Sequence, residues 1–286
     1  MLEMLIKPKT GEKKPWMMFF IGLLYASISI LLVHWLSKGG IPFSGAEGLW
    51  VMVFAVIFTL PFMYYIIKIE EKQDETIEGV FKVWNAHKDA LYAFMFLFLG
   101  FLIALTFWYI LLQNPNLLNF QIETYCQINS PGNVEQCIKD YSLIENSKIT
   151  GEISREVARF LSILENNIGV MMFTLLFSLL FGAGAIFILM WNASVIAAAI
   201  GIFTSNKISD IPLGVARYMI HGFPEIAAYF VTALAGGMFG VGFIRHGLRN
   251  RKFLKVVQNV ILLLFISIFI LIVAAWIEVY ITPMLF

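Results

Sequence analysis

Charge is what this sequence has least of. Only 14% of its 286 residues are Asp, Glu, Lys or Arg, and 20 basic side chains against 19 acidic ones leave a formal net charge of +1. With no basic surplus and no long run of one sign, there is neither a nucleic-acid footprint nor an acidic tail. Cysteine is nearly absent as well. Cys126 and Cys137 are the two present, and C-x10-C without nearby His matches no zinc spacing. A disulfide on the outer side is the expected state of the pair, with two free thiols as the alternative. Missing too are G-x-S-x-G, H-E-x-x-H, a Walker loop and any Asp/His chain inside an apolar run. Hydrolase, zinc-protease and ATPase readings therefore have no support, and no metal or cofactor is called for.

What remains is hydrocarbon. At 59% hydrophobic residues and a mean hydropathy of +0.81, the chain carries more apolar side chain than a soluble domain could bury. The fold class it predicts is an all-α, polytopic transmembrane helix bundle in the cell membrane. Trp16 to Leu36 forms a first span, too long and lacking the cleavage site expected of a signal peptide. Lys7, Lys9, Lys13 and Lys14 precede it and place the N-terminus in the cytoplasm.

A short turn, Ser37 to Gly48, leads to a second span, Leu49 to Ile67, with Pro61 near its end. Lys68 to Asp89 reads as a solvated cytoplasmic connector, with a partner-docking helix as the alternative, and His87 as a surface residue. Ala90 to Leu112 is a third span. These elements make an N-terminal region, 1–112. Residues 113–167 form the polar, extracytoplasmic segment with both cysteines, and 168–286 a C-terminal region of Gly-rich spans.

From Ile168 to Phe203 the hydropathy is too long for one span. It divides either into a span to Leu189 and a re-entrant half-helix, or into two passes joined near Asn192. Arg245, Arg249, Arg251 and Lys252 should be cytoplasmic, which favours 192–203 as a short crossing and 204–221 as an outer loop. Spans follow at Ile226–Ile244 and within Phe253–Tyr280. The total is about six full spans plus a short or re-entrant one. Ala193, Ala197 and Gly201 share one helical face, and Gly236-x-x-x-Gly240 repeats the device, so both suit the bundle centre or a homodimer seam.

Five polar features flank these spans: Asn166-Asn167, Asn192, Arg217, His221 and Glu225. A continuous helix would align Arg217, His221 and Glu225, but Gly222 and Pro224 argue for a helix start beside His221, with Glu225 in its first turn. Asn166 and Asn167 read as caps at the membrane surface. Asn192 lies deep in an apolar run and needs a partner. Glu278 can snorkel to the interface. Ionisable groups at this depth are costly, so the set is either helix-terminating or functional.

The order ENNIGV (Glu165–Val170), FGAGAIFILMWNASVIAAAIG (Phe181–Gly201) and HGFPEIAAYFVTALAGG (His221–Gly237) resembles the stage II sporulation protein M family, over Asn166 to Gly242. The matching residues are Asn166, Asn167, Gly182, Asn192, Gly201, His221, Gly222, Glu225 and Gly236; Ala193 departs from the usual Gly. The resemblance implies a polytopic membrane component like its namesake, which is thought to anchor peptidoglycan-degrading partners during engulfment. Sporulation itself does not transfer.

The first expectation is thus a non-enzymatic scaffold that recruits envelope-remodelling membrane partners. The second is an ion- or proton-coupled transporter or channel built on Asn192, Arg217, His221 and Glu225. An intramembrane enzyme is a third reading, without a recognisable nucleophile.

Overall fold

The computed structural model describes residues 14–40, 45–74, 80–129, 134–135, 137–138, 156–181, 186–205, 207–247 and 250–285. Among them are eight helices of 11 residues or more: α1 (Trp16–Lys38), α2 (Glu47–Asp74), α3 (Val80–Leu112), α4 (Asn119–Asn129), α5 (Glu156–Phe181), α6 (Ile186–Phe203), α7 (Ile211–His246) and α8 (Arg251–Trp276). All but α4 are long and apolar enough to cross a membrane, which gives seven candidate spans among the described residues. Where lipid offers no hydrogen-bond partner, a helix satisfies its own backbone, and the apolar runs take that form.

The helix α7 is the axis of the bundle. Every residue from Ala228 to Met238 is buried, and α2, α3, α5, α6 and α8 all pack against it. A helix apolar on all sides belongs in such a position. Its neighbours come close because the contact residues are small: an added Cβ on Gly236 would lie 2.7 Å from Ser178, and one on Gly240 2.9 Å from the Leu179 carbonyl, both on α5. The Ala193, Ala197 and Gly201 face of α6 is likewise buried inside the bundle. Gly247, at φ +69°, turns the chain from α7 into α8, and the pair runs antiparallel with Thr232 and Ser267 bonded at 2.7 Å.

On the far side of the bundle α1 and α3 run parallel. They cross where Gly22 meets Gly100, and Trp108 Nε1 donates to Ser27 Oγ at 2.9 Å.

Four expectations need correction. The division after Ile168 falls between Phe181 and Ile186, not at Asn192, and α6 is a continuous helix of 18 residues. Asn192 interrupts nothing because its Nδ2 donates to the Ile188 carbonyl one turn back, at 2.7 Å. Gly182, singled out in the sequence, lies outside the described residues.

Pro224 does not start a helix: α7 begins at Ile211 and runs through it. The helix-start proline is Pro212, and the turn expected over 204–221 shrinks to the residues before Ile211. Pro224 forfeits only its own bond to the Ile220 carbonyl, which the packing of a long membrane helix tolerates. The charged connector is shorter than expected too, since α2 continues to Asp74 and α3 starts at Val80. His87 is consequently not a surface residue but fully buried against Glu70.

Residues 113–167 hold more structure than a bare loop. A single 3-10 turn, Pro115–Leu118, opens α4, and α4 packs on α2 and α6. Asn119 Nδ2 donates to the Gly45 carbonyl at 2.5 Å, Leu117, Leu118 and Ile122 are buried, and Cys126 is disulfide-bonded to Cys137.

Candidate functional site

Asn167, expected at the membrane surface, sits three turns inside α5 and is buried. Its Nδ2 donates to Glu225 Oε1 on α7 at 2.6 Å, and the exposed Asn166 reaches no further than Asn167 Oδ1, at 3.3 Å. Neither residue caps a helix. A hydrogen bond to a carboxylate is among the stronger ones a side chain can make, and here it ties α5 to α7.

The unbroken α7 places His221 one turn before Glu225 on the same face. His221 Nδ1 lies 3.2 Å from Thr282 Oγ1, beyond the end of α8. The chain there widens to π-helical winding over Ile277–Ile281, and the Thr282 hydroxyl also bonds the Ile277 carbonyl at 3.2 Å. Such widened turns re-aim side chains and recur at functional sites. This one carries Glu278 to the Glu225 side of the hairpin, where the two charges act on each other. Glu278 is therefore half-buried in the cluster rather than snorkelling to an interface. Tyr229, one turn beyond Glu225, feels both carboxylates, and Arg159 of α5 faces His221 and Glu278.

The arrangement is a pair of carboxylates that act on each other, with an amide, an imidazole and a guanidinium around them. Two negative charges at such depth repel, so the site is one that a proton or a small cation would neutralise. Among the described residues no three His, Cys, Asp or Glu side chains converge in the manner of a metal site.

Of the residues singled out from sequence, His221, Glu225 and Asn167 come together. Arg217 lies next to them but stacks its guanidinium 4.7 Å from the Phe203 ring on α6, and Asn192 is spent on its own helix. Gly222 is buried, its nearest side-chain neighbour Ile196 at 3.8 Å from where a Cβ would be. Gly201 and Gly236 serve packing. Sequence reasoning missed the contributions of Glu278, Thr282, Tyr229 and Arg159. The available signal was that Glu278 is the sole acidic residue after Lys255.

These features define a multi-pass helical membrane protein with a carboxylate cluster inside the bundle. The family model of Stage II sporulation protein M matches residues 93–283, and the chain belongs to that family. The match takes in the whole cluster as well as the cysteine-bearing segment, which the shorter resemblance over Asn166 to Gly242 had left out. An uncharacterised protein of Methanocaldococcus jannaschii is 31% identical over 153 residues, covering 51% of this chain and 83% of the relative. No solved structure matches.

Proposed function

We propose that the chain is an ion-coupled membrane protein, with Glu225 and Glu278 holding a proton or small cation and Asn167 orienting Glu225. The observation that carries this reading is the hydrogen bond from the buried Asn167 amide on α5 to the Glu225 carboxylate on α7, with a second carboxylate, Glu278, near enough to act on Glu225. A purely structural role would leave two like charges in a place where apolar side chains pack at lower cost. No enzymatic step is assigned: the Thr282 hydroxyl beside His221 is already engaged by its own helix.

The proposed orientation follows from seven alternating passes. They put Lys14 on the same side as Arg245, Arg251 and Lys252, which makes that side cytoplasmic and the cysteine lobe external. The test is flux of protons and monovalent cations into liposomes carrying the purified chain, beside Glu225→Gln with its folding confirmed. Flux in the wild type that disappears in the folded variant is the expected result; no flux from the wild type overturns the reading.

A second reading, a scaffold that recruits envelope-remodelling partners, draws on the outer lobe. There α4 is pinned by the disulfide and by Asn119, leaving Phe120 and Glu123 exposed on a fixed platform. Substituting those two residues should abolish capture of a partner while leaving ion flux intact.

A further inference from the structure

A second pair of ionisable side chains is buried in the other half of the bundle, outside the residues matched to the family. Glu70 Oε2 on α2 and His87 Nδ1 on α3 lie 2.5 Å apart, and neither side chain has any exposed surface. Burying an acid and a base together rarely stabilises a protein more than apolar residues of the same size would, so such a pair calls for a use other than stability.

Its position supplies one. The Phe94 ring of α3 stacks on Phe230 of α7 at 5.3 Å between centroids, and Phe98 meets the same ring edge-on at 6.3 Å. His87 lies seven residues before Phe94, and Glu225 five residues before Phe230. The helices α3 and α7 are antiparallel: Ile208 and Ile211, just before and at the start of α7, line one cavity with Ala104 and Phe107 near the end of α3. His87 and Glu225 are therefore displaced in opposite directions from the aromatic layer, by about 10 Å and about 8 Å respectively at 1.5 Å per residue.

Helix α7 is shared by both sites. Ile67, one turn before Glu70, packs on Gly237 so closely that an added Cβ there would lie 2.7 Å from it.

We propose that Glu70 and His87 are a second proton-binding station, across the Phe94–Phe98–Phe230 layer from Glu225, through which the proton coupled at Glu225 is exchanged with the opposite side of the membrane. The inference rests on the ion-coupled reading above and commits it to protons. In the transfer, an imidazolium at His87 gives its Nδ1 proton to Glu70 Oε2, leaving a neutral imidazole and a carboxylic acid; the reverse step restores the ion pair, and nothing is oxidised or reduced. The aromatic layer closes the route in the conformation described, and movement of Phe230 against Phe94 opens it.

Other charged groups near this end of the bundle are Lys68, Glu71, Lys72 and Asp74 on α2 and Lys82, Lys88 and Asp89 on α3. On the remaining elements they are Arg245 and His246 at the end of α7 and Arg251, Lys252 and Lys255 on α8. Lys68, Lys82, Lys88, Asp89, Arg245, His246, Arg251, Lys252 and Lys255 are all at least partly exposed, whereas Glu70 and His87 are not.

The experiment is proton uptake by liposomes carrying the full chain and an entrapped pH dye, driven by a potassium diffusion potential. Wild type, Glu225→Gln, Glu70→Gln, His87→Gln and the exchange variant Glu70→His/His87→Glu are compared. Uptake should fall at least tenfold in each single variant and recover in the exchange variant. Loss in Glu225→Gln with wild-type uptake in Glu70→Gln and His87→Gln overturns the second station and leaves the Glu225 site standing. No proton uptake by the wild type overturns both. Should a single variant fail to fold, the exchange variant decides: folded and active supports the station, folded and inactive overturns it.

Discussion

Replacing Gly100 by Ala should weaken the bundle through a single contact. A Cβ built on Gly100 points at the backbone of α1, meeting the Phe19 carbonyl oxygen, with Leu23 N at 2.9 Å and Phe19 C at 3.0 Å. Ordinary contact for such an atom begins at 3.4 Å, and every obstacle is main chain, so no rotamer change relieves it. The helices α1 and α3 must separate by about 0.5 Å or more, straining the Trp108–Ser27 hydrogen bond two turns away. Overpacking of this kind costs about 1–3 kcal/mol. The better helix propensity of Ala returns about 1 kcal/mol, for a net loss of up to about 2 kcal/mol. In a chain of this size that lowers the unfolding midpoint by up to roughly 8 °C.

The assay is thermal unfolding in detergent followed by tryptophan fluorescence. The control is Gly169→Ala, where a Cβ meets nothing within 4 Å and should leave the midpoint unchanged or slightly raised. Equal midpoints for the two variants would refute the argument that the α1–α3 crossing requires glycine.

Two further outcomes follow from the site and the lobe. Asn167→Leu removes the donor to Glu225 Oε1 and should destabilise the folded chain by about 1.5–3 kcal/mol, whereas the same substitution in a Glu225→Gln background should cost measurably less. Equal costs in the two backgrounds would show the bond to be idle. Cys126→Ser opens a loop with a sequence separation of 11, which the chain-entropy relation values at about 3 kcal/mol. Limited proteolysis should then cut within 119–138 while the spans resist, and uniform loss of protection would contradict a locally stapled lobe.

Sequence carried the membrane class, the near-absence of free charge, the cysteine pairing and the family resemblance, because each depends on composition or on residues near one another in the chain. It failed where depth had to be inferred from distance to the end of an apolar run. Glu278, His87 and Asn167 all lie within a few turns of a helix end, where hydropathy alone makes each a surface, interface or cap residue. The structure buries all or part of each against a side chain far off in sequence: Glu225 for Glu278 and Asn167, Glu70 for His87.

The reason is geometric. At 1.5 Å per residue the 36 residues of α7 extend about 54 Å, against a hydrocarbon core of about 30 Å, so a helix end need not coincide with the membrane surface. Charges near the ends of overlong spans are then ambiguous in sequence, and only the register between neighbouring helices decides whether they face water or one another. Here that register places Thr232 opposite Ser267 and His221 opposite Thr282, which brings Glu225 to the turn after α8 that carries Glu278. The carboxylate pair is thus a consequence of hairpin register, and shifting α8 by one turn would dissolve it without altering any hydropathy run.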